Sequence, residues 1–204
     1  MEFLPTEVDN EKVYAGFWKR LAAAIIDSLI LIPFMVIAHH TQSISIISSM
    51  ITLVISAVLF SVYVIYFHYR FGATLGKMAI KIKITCPNGS KISLKQALIR
   101  SSIDIGFSLL TVIAQLIALK HADPTIYLNA GFTDRAKYIL LLYPAWYSLV
   151  STLSQVWWWS EFITLLFNKR KRAIHDFMAG TVVIKKQYEN KEITTSLNSI
   201  TANH

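Results

Sequence analysis

Arg20 and Asp27 set a cation and a carboxylate seven residues apart in the apolar run GFWKRLAAAIIDSLILIPF, Gly16 to Phe34. Seven residues is almost two helical turns, so both side chains leave one face of a helix, about 10 Å apart along its axis. Arg100 and Asp104 repeat the pairing at a spacing of four at the head of another apolar run. An i,i+4 ion pair is the plain structural alternative there. Glu161 and Gln155 add polar groups to a further run, completing a secondary polar cluster with Arg100 and Asp104. Asp176 follows His175, just past the basic cluster Lys169, Arg170, Lys171 and Arg172. An aspartate in the middle of a membrane helix costs roughly 2.5–3.5 kcal/mol, so it has to face a bundle interior or a wet cavity. Such residues can do two things. They can pin helices together through buried pairs, or they can bind a proton or a cation and pass it on.

Other chemistries lack their residues. His39, His40, His68, His121, His175 and His204 are scattered, with no metal-ligand spacing. No GxSxG or HExxH occurs, and no two carboxylates sit close enough for acid–base work. Gly72-Ala73-Thr74-Leu75-Gly76-Lys77 is one residue short of a phosphate loop. Met78 stands where Ser or Thr would bind magnesium. That stretch reads as a turn re-entering the cytoplasm. We therefore expect no enzyme, no cofactor and no bound metal.

The elements that must carry these charges are membrane helices. Of 204 residues, 54% are hydrophobic and 16% charged, against about 25% charged in a soluble domain. Four spans are expected at about 18–38, 44–68, 101–120 and 138–167, each near or above the roughly 20 residues that cross a bilayer. The second, Ile44 to Phe67, carries no charge. A cleaved leader is a poor account of the first, because Asp27 interrupts it and Val36-Ile37-Ala38 lacks a small-x-small site. Pro33 should kink it. The fourth has two readings. Either Tyr138 to Trp157 crosses and Trp157-Trp158-Trp159 marks the interface, the favoured one, or Ser148 to Phe167 crosses and buries Glu161.

Alternating the spans puts 17 of the 20 Lys and Arg on one side and three on the other. By the positive-inside rule both termini and the middle loop are cytoplasmic. The net charge of +8 is then mostly topology, and no nucleic-acid module accompanies it. The basic cluster Lys169 to Arg172 should face anionic lipid at the cytoplasmic face.

Within the middle loop, Met78 to Thr85 alternates as a strand, Pro87 to Ser90 turns, and Lys91-Ile92 returns as a second strand of a hairpin. Ser93 and Gln96 have capping-box spacing for the next helix. Thr181 to Ile184 reads as a short strand that could pair with Ala79 to Thr85. Met1 to Tyr14 reads as a loose lead-in, and 185–204 as a polar, disordered cytoplasmic tail. The expected fold is an all-α integral membrane protein: four transmembrane helices, a small cytoplasmic β-hairpin between the second and third, and a short strand after the fourth. Its membrane domain covers 1–184.

Three blocks in order resemble the RDD family of multi-pass bacterial membrane proteins, named for one arginine and two aspartates. They are Ala15 to Ala22 with Asp27, then Gly72 to Lys77 with Gly89, Ser93, Ala97 and Arg100, and last Arg172 to Asp176 with Ala179-Gly180-Thr181. The resemblance makes Arg20 the family arginine and Asp27 its first aspartate. Asp176 is the choice for the second, with Asp104 the competitor. It implies an inner-membrane protein, and some members have been linked to transport, including sodium–proton antiport.

Two readings follow. In the leading one the chain exchanges protons with a monovalent cation at Asp27, with Arg20 tuning that carboxylate and gating the cytoplasmic mouth and Asp176 steadying the cytoplasmic end by pairing with Arg20. In the alternative the polar cluster is structural, and the inner hairpin and basic tail recruit a partner or anionic lipid. Four short spans are few for a lone transporter, so the first reading calls for a homo-oligomer or another membrane protein beside it.

Overall fold

The computed structural model describes residues 3–8 and 10–189. In chain order the elements are β1 (Glu7–Val8), β2 (Glu11–Lys12), α1 (Phe17–Gln42), α2 (Ile46–Phe71), α3 (Leu75–Ala79), β3 (Ile82–Thr85), α4 (Leu94–His121), α5 (Pro124–Asn129), α6 (Phe132–Leu141), α7 (Tyr147–Phe167), α8 (Ile174–Met178) and β4 (Val182–Lys185). They form two compact units. One gathers Met1–Ile30, Val64–Ser101 and Trp158–His204, and the other Leu31–Tyr63 and Ser102–Trp157.

Three helices among the described residues are long and apolar enough to cross a membrane: Phe17–Gln42, the stretch Ile46–Ala79 that contains α2, and Leu94–His121. Few of their residues are fully buried within the protein: 6%, 0% and 17% of the most apolar windows. Side chains such as Leu29, Phe34, Ile51, Val58 and Leu109 point outward. Such surface is stable only against lipid or another apolar body.

The fourth span, expected over 138–167, is not one helix. α6 ends at Leu141, α7 begins at Tyr147, and Pro144 lies between them. Proline removes a backbone donor and pushes the residue before it out of the helical region. α7 nearly matches the less favoured span, Ser148 to Phe167. Ser148, Ser151, Ser154, Gln155, Ser160 and Glu161 dilute its apolar character, and it does not join the three apolar helices.

The expected hairpin is corrected as well. β3 pairs antiparallel with β4, in the register Ile82↔Lys185 to Thr85↔Val182, and Lys91-Ile92 forms no strand. The turn after β3 does close, with Cys86 N–H donating to Ser90 O and Gly89 N–H to Cys86 O, each at 2.9 Å. Ile92 then supplies its side chain to the core instead of its backbone to a ladder. Met78 and Ala79 belong to α3, so the strand starts later than the alternation implied. The Ser93–Gln96 capping box forms, with Ser93 N–H donating to Gln96 Oε1 at 2.9 Å and Gln96 N–H to Ser93 Oγ at 3.2 Å.

β4 is buried on both faces, which is why it reads as an unbroken apolar run. Val183 packs with Ala15, Ala23, Ile82, Ile84, Ile92 and Ala97. Val182 and Ile184 pack with Leu4, Val13, Tyr14 and Tyr188. The lead-in is thus not loose. Val13 to Ala15 lies along the free edge of β4, with Ala15 N–H donating to Val183 O and Lys185 N–H to Val13 O at 2.9 Å. The Tyr14 hydroxyl donates to Leu4 O at 2.7 Å. On the far edge Gly72 accepts from Ile84 N–H at 2.6 Å. Its φ is +69°, and a Cβ there would lie 2.7 Å from Ile84 O, so glycine is required. The polar tail begins later than Lys185. Lys186–Tyr188 form a 3-10 turn, and the Tyr188 hydroxyl donates to Glu11 at 3.0 Å. Residues 190–204, the rest of the expected disordered tail, lie outside the described residues.

The other unit is helical. Asp123 caps α5, accepting from Thr125 N–H at 2.7 Å and Ile126 N–H at 3.2 Å ahead of Pro124 at the first turn. Arg135 is buried there. It donates to Tyr127 O, Ser43 Oγ and Ala130 O at 3.1–3.2 Å, so a charge counted for topology is a structural peg.

Candidate functional site

Asp176 lies in the first turn of α8 and is fully buried. Its Oδ2 accepts from Ala173 N–H at 2.9 Å, a local cap that fixes the carboxylate. Arg20, from the first turns of α1, donates to the same oxygen at 2.8 Å. Arg100, from α4, donates to Oδ1 and also to Thr181 Oγ1, the latter at 2.9 Å. The arginines are 12% and 4% exposed and Asp176 0%. Arg20 Nη2 donates further to Lys171 O at 2.5 Å, and its Nε to Ala15 O at 3.2 Å. One carboxylate therefore ties the heads of two membrane helices to the segment after α7.

Arg172 completes the shell, and here the expectation of a lipid-facing cluster fails for one member. Arg172 is buried. Its Nε donates to Thr181 O at 3.0 Å and its Nη2 to Asp176 O at 2.9 Å, while its guanidinium lies over Phe177 at 4.2 Å. The reason is the turn of α8, which leaves these two carbonyls pointing at it. Lys169 and Arg170 are exposed, Arg170 resting over Phe3 at 3.9 Å, and Lys171 Nζ donates to Leu166 O at 2.9 Å.

Burial pushes the Asp176 carboxyl up, but Arg100 and Arg20 outweigh it and hold the group well below the usual carboxylate range. His175 is held below its ordinary value, first by burial and then by Arg100, with Asp176 and Glu161 pulling the other way. Geometry fixes its tautomer. Arg100 Nη2 sits 2.6 Å from His175 Nε2, and arginine can only donate. Nε2 is therefore the bare acceptor and Nδ1 carries the hydrogen, which faces Glu161 Oε2. Glu161 Oε1 accepts from His175 N–H at 2.9 Å.

Asp27 belongs to a second node. Its Oδ2 accepts from Thr74 Oγ1 at 2.5 Å and its Oδ1 from Gly76 N–H at 2.7 Å. It caps the start of α3 from outside, the favourable place for a carboxylate. The approach needs Gly76: a Cβ there would overlap Ala23 O and lie 2.7 Å from Asp27 Cγ. Beside this node, Lys77 Nζ lies 3.0 Å from His68 Nε2.

The structure thus brings together Arg20, Asp176, Arg100, Arg172 and Glu161, and turns Arg20 away from its neighbour on the helix, Asp27. The Arg100–Asp104 pair is replaced by other contacts. Arg100 goes to Asp176, and Asp104 accepts from Trp157 Nε1 at 3.0 Å. Gln155 bonds within its own helix, to Ser151 at 3.4 Å. The expected secondary cluster is therefore divided, with Arg100 and Glu161 in the unit of the sheet and Asp104 and Gln155 in the helical one. The sequence reading gave no role to Thr74, Gly76, His175 or Thr181. Each lies inside one of the three quoted blocks, which was the available signal.

Exposed apolar helices of spanning length, joined at one end by a buried arginine–aspartate network, define an integral membrane protein. The RDD family model matches residues 14–180, and the chain belongs to that family of membrane proteins. No curated protein and no solved structure matches it.

Proposed function

We propose that the family charges form a lock that seats the β3–β4 sheet on the inner ends of the membrane helices, and that the protein is a non-transporting interaction or assembly protein of the bacterial inner membrane. Its sheet and basic tail would meet a partner at the cytoplasmic face. One observation carries this reading. The carboxylates of Asp27 and Asp176 each hold protein donors on both oxygens. A transport carboxylate has to exchange its ligand, whereas these are arranged as acceptors within the fold. The test is proton and sodium flux in liposomes containing purified protein, wild type beside Asp27→Asn. The reading expects no flux above empty liposomes from either. Wild-type flux that Asp27→Asn abolishes would overturn it.

A second reading keeps exchange and moves its site. The 3.0 Å approach of Lys77 to buried His68 requires a bare nitrogen on one of the two, so the pair holds a proton that can be gained or lost. In that reading wild-type flux survives Asp27→Asn and disappears in His68→Gln.

A further inference from the structure

Where α2 ends, the chain lays four cations around one cavity. Arg70 and Phe71 close the helix, Lys83 projects from β3, Lys91 from the turn that follows, and Lys186 from the segment after β4. Together with Ala73, Met78 and Ile82 they line a cavity of about 280 Å³. A narrower cleft continues it along Tyr69, Gly72 and Ile84. None of these lining residues is acidic, although Lys83 pairs with Glu189, which does not line the cavity. Two backbone features fix the arrangement. Gly72 clamps the helix end to β3, and Lys186 N–H donates to Lys81 O at 2.9 Å. Converging like charges repel one another unless an anion neutralises them. The exposed aromatics Tyr66, Tyr69 and Phe71 are of the kind that settles at headgroup depth.

We propose that this cavity binds a phosphate group, with Arg70, Lys83, Lys91 and Lys186 as its donors. The group belongs to an anionic lipid headgroup or to a free phosphate. The site is separate from the basic cluster after α7. The lipid source rests on the inner-face placement of the sheet proposed above. The test does not, because it is run on the full chain in detergent micelles.

The probe is fluorescent phosphatidylglycerol, titrated against inorganic phosphate as competitor. Saturable binding is expected. The triple variant Lys83→Gln, Lys91→Gln, Lys186→Gln should weaken it roughly a hundredfold, from the usual contribution of a lysine at an anionic surface. Lys169→Gln with Arg170→Gln should leave it unchanged. Glu189→Gln removes the competing carboxylate and should tighten binding about threefold, a gain that misfolding does not produce. Displacement by millimolar inorganic phosphate assigns the site to free phosphate, and resistance to it assigns the lipid. Binding by the triple variant equal to wild type, or equal loss in the Lys169/Arg170 variant, overturns the proposal.

Discussion

Asp176 is the residue on which the account turns. It is a buried carboxylate held by two guanidiniums and a backbone N–H. Removing its charge leaves both arginines facing none, so Asp176→Asn should cost roughly 3–5 kcal/mol, read as a loss of unfolding temperature and yield in detergent. Its folded pKa is depressed, so its contribution is complete above the unfolded value of about 3.9 and is lost as pH falls through the folded value. His175 acts in a milder range. Its pKa is also lowered by the fold, so neutral His175 favours the folded state fully above about pH 6.5, and this is lost as pH falls towards the folded value. Thermal stability should therefore decline below about pH 6.5, and His175→Gln should flatten that decline. An unchanged slope in the variant would count against a neutral His175 in the folded state. Arg20, Asp27 and Asp176 could be picked from the sequence because a charge in an apolar setting is conspicuous. Their partners were legible only in part: Asp176 was expected beside Arg20, but Arg100 for Asp176, and Thr74 and Gly76 for Asp27, were not. The seven-residue spacing sets Arg20 and Asp27 on one face, but a long arginine reaches a carboxylate 156 positions away, and only folding brings those positions together.

At the scale of elements, period and composition located α1, α2, α4, β3 and β4 within a few residues. They failed where tertiary contact decides. Lys91-Ile92 has strand composition, but β4 is more apolar and takes the edge of β3. Tyr138 to Phe167 is apolar enough to read as one helix, but Pro144 divides it. The lead-in is polar by count, yet Leu4, Val13 and Tyr14 fill one face of the sheet. The cross-chain sheet is a unit in this account, so Ile84→Ala, at a fully buried position, should cost about 2–5 kcal/mol despite lying outside the membrane helices. Gly76→Ala should be worse than an ordinary glycine substitution in a helix, since its Cβ meets Ala23 O and Asp27. Expression equal to wild type for Gly76→Ala would show that the α3 turn is not docked on α1 as described.

For the whole molecule, the membrane class was legible because surplus apolar residues have to face something other than water. The number of spanning helices was less so, because hydropathy alone weighs a tryptophan- and serine-rich helix such as α7 poorly. The inside placement of both termini is an expectation from charge alone, and Cys86, the single cysteine, offers its check. A membrane-impermeant thiol reagent should leave Cys86 unlabelled in intact cells and label it once the membrane is opened. Labelling of intact cells would reverse the orientation. The central claim is that the arginine and the second aspartate act as one lock between the first membrane helix and the segment after α7. A double-mutant cycle of Arg20→Gln and Asp176→Asn, read as unfolding free energy in detergent, tests it most directly. The account predicts that the double variant loses less than the two single losses combined, with a coupling of about 2 kcal/mol or more. Additivity within about 0.5 kcal/mol would contradict it and return both charges to the search for a transport role.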